Sequence, residues 1–122
     1  MAVCKFHSLK VALAFASSIA LFSCSLPALE HKYPRVNPLK VGDGFKINLA
    51  EEHTNGYSWQ LNDNFDKNLI KELNAVWHGN EKGIDFNFKA LAAGVTTITL
   101  VKRKFADTAE VSEYVLKIMP KD

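Results

Sequence analysis

The stretch "GFKINLAEEHTNGYSWQL", Gly44 to Leu61, decides the fold. Phe45, Ile47 and Leu49 alternate with Lys46 and Asn48 after a Gly42-Asp43-Gly44 turn, and Tyr57, Trp59 and Leu61 alternate with Ser58 and Gln60. Successive side chains of a strand point to opposite faces, so each run predicts a half-buried strand. The polar segment between them carries the turn signal Asn55-Gly56, with Gly56 expected to supply a positive φ and Thr54 expected at the tip. Trp59 falls on the apolar face and is expected in the core.

The same period of two recurs along the chain. Phe86, Phe88 and Ala90 alternate with Asn87 and Lys89; Ile98 and Leu100 alternate with Thr97, Thr99 and Val101; Tyr114, Leu116 and Ile118 close the chain. Short runs of this kind, separated by Gly, Asn and Asp, predict an all-β fold, an immunoglobulin-like antiparallel β-sandwich of about seven strands. Trp59, Phe86, Phe88, Ile98, Leu100 and Leu116 are expected inside. One segment has another period: Leu69, Ile70, Leu73, Val76 and Trp77 form a helical stripe. A short turn or helix is expected near residues 67–71, followed by a strand over 75–77.

The N-terminus reads as an export signal. Lys5 and Lys10 precede an apolar run from Val11 to Phe22, too short to span a bilayer comfortably. "LFSC" then places Leu21 and Ser23 ahead of Cys24 and resembles the lipobox of bacterial lipoproteins, which implies lipidation of Cys24. Cleavage after Ala28 in "SLPA" is the competing route. The expected organisation is a signal over 1–23, a polar proline-bearing tether over 24–36 and one domain over 37–122, exported to the periplasm or outer membrane, or otherwise secreted.

Loss of the signal lowers Lys plus Arg from 15 to 13, because only Lys5 and Lys10 leave, against 13 Asp plus Glu. A formally neutral domain has no electrostatic case for nucleic acid, and "KRK" at 102–104 is too short to make one. Cys4 leaves with the signal and Cys24 is lipidated or lost. No internal disulfide is then available, and the apolar core must supply the stability.

The inventory for catalysis is poor. His31 lies in the tether, and His53 and His78 with Glu51 or Glu52 lack a spacing that would enforce a metal site, so they are read as loop histidines. Glu51 and Glu52, neighbours at a strand end, point to opposite faces and are read as a solvated charge pair. No nucleophile elbow, phosphate loop or zinc helix is present; Gly79, Gly83 and Gly94 read as turns. No cofactor, metal or enzymatic activity is expected.

Three connections are more featured than their strands require: Glu51–Gly56, Trp77–Asp85 and Arg103–Val111. Alternate connections of a Greek-key sandwich gather at one end and can form a composite binding edge. In order and spacing these segments resemble the chagasin-type inhibitors of papain-like cysteine proteases, over about Asn37 to Ile118. "EHTNGYSW" matches that family's Asn-Pro-Thr-Thr-Gly-aromatic-x-Trp loop at Thr54, Gly56, Tyr57 and Trp59. "HGNEKGIDFNFKALAAG" keeps Gly79, Phe86, Phe88, Ala90 and Gly94 of the second loop and its strand. Glu52-His53 stand for Asn-Pro, and Glu81-Lys82 for the family's double glycine. The family's Arg-Pro-Trp falls on Lys104-Phe105-Ala106 or, one residue earlier, on Arg103-Lys104-Phe105.

The resemblance implies a non-covalent, monomeric inhibitor whose loops enter a protease cleft. Its contacts would be Glu52, His53, Thr54, Asn55 and Gly56, with Thr54 at the catalytic centre, then Gly79, Asn80, Glu81 and Lys82, and finally Arg103, Lys104 and Phe105. The alternative is a non-catalytic envelope lipoprotein that uses the sandwich for another partner. For processing, labelled palmitate is expected to enter the wild-type chain but not Cys24→Ala. A soluble mature chain beginning at Leu29 would show cleavage after Ala28 instead.

Overall fold

A computed structural model describes residues 26–122; the expected signal and Cys24 lie outside the described residues. Seven strands form two sheets. They are β1 (Val36–Lys40), β2 (Gly44–Leu49), β3 (Ser58–Leu61), β4 (Ile70–Trp77), β5 (Ile84–Ala90), β6 (Gly94–Lys104) and β7 (Asp107–Met119). One sheet runs β1-β7-β6-β3 and the other β2-β5-β4. All pairings are antiparallel except β1 with β7, which is parallel, a departure from the wholly antiparallel sandwich expected.

The period of two places the core where the sequence predicts it. Phe45, Ile47 and Leu49 of β2 face inward beside Phe86, Phe88 and Ala90 of β5, with Phe45 stacked on Phe88 at 5.3 Å between centroids. Ile98, Leu100, Tyr114, Leu116 and Ile118 close the core from the other sheet, together with Trp59. Each inward side chain removes apolar area from water, about 1.5–3 kcal/mol for a fully buried large aliphatic or phenyl group.

The helical stripe is not a helix. Residues 67–69 form a turn, and β4 runs unbroken in pairing from Ile70, well before the expected 75–77 strand, apart from a register shift between Glu72 and Asn74. That shift leaves Leu73 unpaired, so one extra residue breaks the alternation. Leu73 and Val76, three apart, then line the same groove on the outer face of the sheet with Lys46, Asp85 and Asn87. A bulged strand has reproduced helical spacing.

β1 carried no strand signal, because Pro38 interrupts it and its one deeply buried residue is Asn37. An edge strand tolerates proline, and the Asn37 amide accepts from His31 N and donates to the carbonyls of His31 and Val115. The segment expected as a tether is joined to the domain from Pro27 onward. Lys46 N donates to Pro27 O and Leu29 N donates to Lys46 O, so Pro27–Leu29 runs along the outer edge of β2.

Trp59 is 6% exposed, and its indole N–H donates to Ala50 O at 2.9 Å. Trp59→Ala is expected to cost about 3–5 kcal/mol in denaturant unfolding, as a large core deletion does. A loss below about 1 kcal/mol would place the indole outside the core.

Candidate functional site

The connections β2–β3, β4–β5 and β6–β7 leave the sandwich at one pole, and the first lies between the other two. Its centre is a single 3-10 turn, His53–Asn55, closed by Gly56 at φ +80. Asn55 Oδ1 accepts from Tyr57 N at 2.9 Å, a side-chain turn that brings the chain back into β3. Glu52, His53, Thr54, Asn55 and Gly56 are all exposed, with Thr54 at the middle of the turn.

Glu51 corrects the sequence reading. Glu52 is solvated as expected, but the Glu51 carboxylate is only 2% exposed. Oε1 accepts from Trp59 N at 2.6 Å, and Oε2 lies 2.6 Å from His53 Nε2. A signal for this existed: Glu51 continues the parity of Phe45, Ile47 and Leu49, so the alternation that buries them also points Glu51 inward.

The second loop, between Trp77 and Ile84, is a tight turn in which Gly83 N and Lys82 N donate to Gly79 O. Gly79, at φ +107, is half-buried, while Asn80, Glu81 and Lys82 are exposed. Gly83 has φ +74, and a Cβ there would sit 2.1 Å from Leu49 O, so the approach of this turn to β2 requires glycine. Asp85, 7% exposed, holds the turn from the outer face of the sheet: it accepts from Asn48 Nδ2 at 2.7 Å and contacts His78 Nε2 at 2.9 Å and Lys46 Nζ at 3.5 Å. Burial pushes its carboxyl upward, but the Asn48 hydrogen bond, Lys46 and His78 outweigh it and hold Asp85 below the usual carboxylate range.

The third loop is much shorter than the expected Arg103–Val111. β6 and β7 pair almost to the tip and leave Phe105-Ala106 as the connection. Phe105 has φ 56, the left-handed conformation that a two-residue hairpin demands, and is 95% exposed. Arg103 and Lys104 are exposed beside it.

Side-chain contacts join the three loops. His53 N donates to Asn80 Oδ1 at 3.2 Å, the His53 ring stacks on Trp77 at 3.9 Å, and Trp77 Nε1 donates to Glu51 O. On the other flank Lys104 Nζ lies 5.8 Å from the Tyr57 ring centre, and the Tyr57 hydroxyl donates to Asp107 at 2.6 Å. That hydrogen bond, then burial and the Asp107 charge, raise the Tyr57 phenol above its usual range. His53 and His78 do not meet: one is held by Glu51, the other by Asp85, and no group of three possible metal ligands occurs among the described residues. Every expected contact residue is therefore at this pole. Trp77, Tyr57 and Asp107 join them through packing that spacing alone did not reveal.

Asp85 makes the second loop acid-sensitive in a defined direction. A carboxyl depressed in the folded state contributes stability above its unfolded pKa and loses it as pH falls through the folded value. Thermal midpoints measured from about pH 6 down to about pH 2 are expected to fall more steeply for wild type than for Asp85→Asn. Parallel curves would show that the network contributes nothing.

Residues 38–118 match the model of a family described as the chagasin family of peptidase inhibitors, I42. No curated protein matches the sequence. Among solved structures, the fold is similar to that of a cysteine protease inhibitor, EhICP2, from Entamoeba histolytica. The TM-score is 0.65 at 17% identity, covering 77% of this chain and 93% of that one. This likeness is one of fold.

Proposed function

The chain belongs to the chagasin family of peptidase inhibitors, and we propose that its three-loop pole blocks a papain-like cysteine protease by filling the active-site cleft. The observation that carries this reading is the cross-linking of the loops: the β2–β3 turn touches the second loop through His53 and Asn80 and the third through Lys104 and Tyr57. A preformed edge loses little conformational entropy on docking, which lets a non-catalytic protein bind tightly without a covalent step.

In this reading Thr54, exposed at the middle of the central turn, meets the catalytic centre. Asn80, Glu81 and Lys82 contact one wall of the cleft, and Arg103, Lys104 and Phe105 the other. Phe105 supplies an aromatic anchor at the hairpin tip, the kind of side chain that dominates interface energies. The inhibitor acts as a monomer outside the cytoplasm. Residues 1–23 direct its export, and lipid on Cys24 provides its membrane attachment; the support for this part is the motif in the sequence.

Thr54→Glu and Phe105→Ala are each expected to weaken inhibition of a papain-like protease by roughly tenfold or more, with melting temperatures close to wild type. Equal inhibition by wild type and both variants would remove the loops from the mechanism. No inhibition by wild type would remove the papain-like class.

A further inference from the structure

We infer that Glu51 is the positioning residue of the central loop, its buried carboxylate holding the conformation in which Thr54 is presented. β3 is the outer strand of its sheet, with β6 on one side only. Trp59, in the middle of β3, donates its N–H to Glu51 Oε1 at 2.6 Å rather than to another strand. The side chain of Glu51 thus stands in for a missing backbone acceptor. Its second oxygen holds His53, the first residue of the 3-10 turn, and its own carbonyl accepts the Trp77 indole N–H at 3.1 Å.

Three atoms of one residue therefore tie together the start of β3, the start of the turn and the end of β4. Thr54 follows the restrained His53 directly, and His53 is held on its other side by the Trp77 ring. Glu51 is too buried to touch a partner, so any effect on binding passes through the residues it holds. A carboxylate, which only accepts hydrogen bonds, fits this position. At 2% exposure it takes them from two N–H groups and requires none in return. Removing it leaves the Trp59 N–H buried and unpaired and at the same time takes from His53 its ring hydrogen bond, leaving the Trp77 stack and the Asn80 contact.

Glutamine is the informative substitution. Its carbonyl oxygen can still accept from Trp59 N, and its amide can donate to the other His53 tautomer. Alanine can do neither. Amide hydrogen exchange reads the loop without any protease. Glu51→Ala is expected to speed exchange over residues 53–59 by roughly tenfold or more, and Glu51→Gln by less than about threefold. Ile118→Val, a core change beside Gly94 at the opposite pole, is expected to lower the melting temperature while leaving exchange in this loop unchanged.

The inhibition arm rests on the function proposed above. There Glu51→Ala is expected to weaken inhibition by roughly tenfold, Glu51→Gln by less than about threefold and Ile118→Val not at all. Unchanged exchange in Glu51→Ala would overturn the inference whatever the inhibition shows. If wild type inhibits no protease, the functional reading fails while the exchange result still decides the role of Glu51. Should Glu51→Ala not fold, His53→Phe keeps the stack on Trp77 but breaks the Glu51 link. Faster exchange at 53–56 in that variant supports the inference, and unchanged exchange overturns it.

Discussion

The stack of Phe45 on Phe88 sets the register on which the functional pole depends. These residues are direct partners on β2 and β5, and a slip of one residue would turn the apolar face of one of the two strands out to solvent. With that register held, Leu49 pairs with Ile84 at the end of the ladder, and Gly83 comes to lie against the Leu49 carbonyl. The second loop therefore starts beside the first because two phenyl rings in the middle of the sandwich are paired. Apolar packing has to hold this arrangement, since the described residues contain no disulfide.

At the pole itself, two carboxylates replace hydrophobic packing. Glu51 points into the sandwich and holds the central loop; Asp85 lies on the outer face of β5 and holds the second. A buried charge is costly unless hydrogen-bonded, and each carboxylate is met by nitrogen donors within 3 Å. Such bonds are directional in a way that apolar contacts are not, which suits loops that must keep one shape while exposed. Gly56 and Gly83 complete the arrangement, with positive φ at both and close backbone approach at Gly83.

The distribution of family residues along the chain has a mechanical sense. Of the residues that carry the family resemblance, Trp59, Phe86, Phe88 and Ala90 are buried and build the frame, while Thr54 and Gly56 are exposed in the central turn. Glu52, His53, Glu81 and Lys82, where it departs from the family, are exposed at the tips. His53 shows how such a departure is accommodated. Where the family has proline, a residue that fixes its own backbone, this chain has a histidine restrained by Glu51 and Trp77.

Alternation between apolar and polar residues was enough to locate β2, β3, β5, β6 and β7, their inward faces and Gly56 at the turn, because period and turn chemistry are written in consecutive residues. The family resemblance is likewise legible in the chain alone. Two strands were legible only in part or not at all. A bulge at Leu73 masked the first half of β4, of which only 75–77 was expected, and Pro38 with a buried asparagine concealed β1, because each breaks the apolar alternation from which a strand is read. The third loop shrank to two residues because pairing between β6 and β7 continues through polar positions that carry no hydrophobic signal. Parity already pointed Glu51 inward, but its partners, the Trp59 amide, His53 and Trp77, lie on three different elements. Which groups meet a buried carboxylate is settled by the packing of those elements, and only the tertiary structure brings them together.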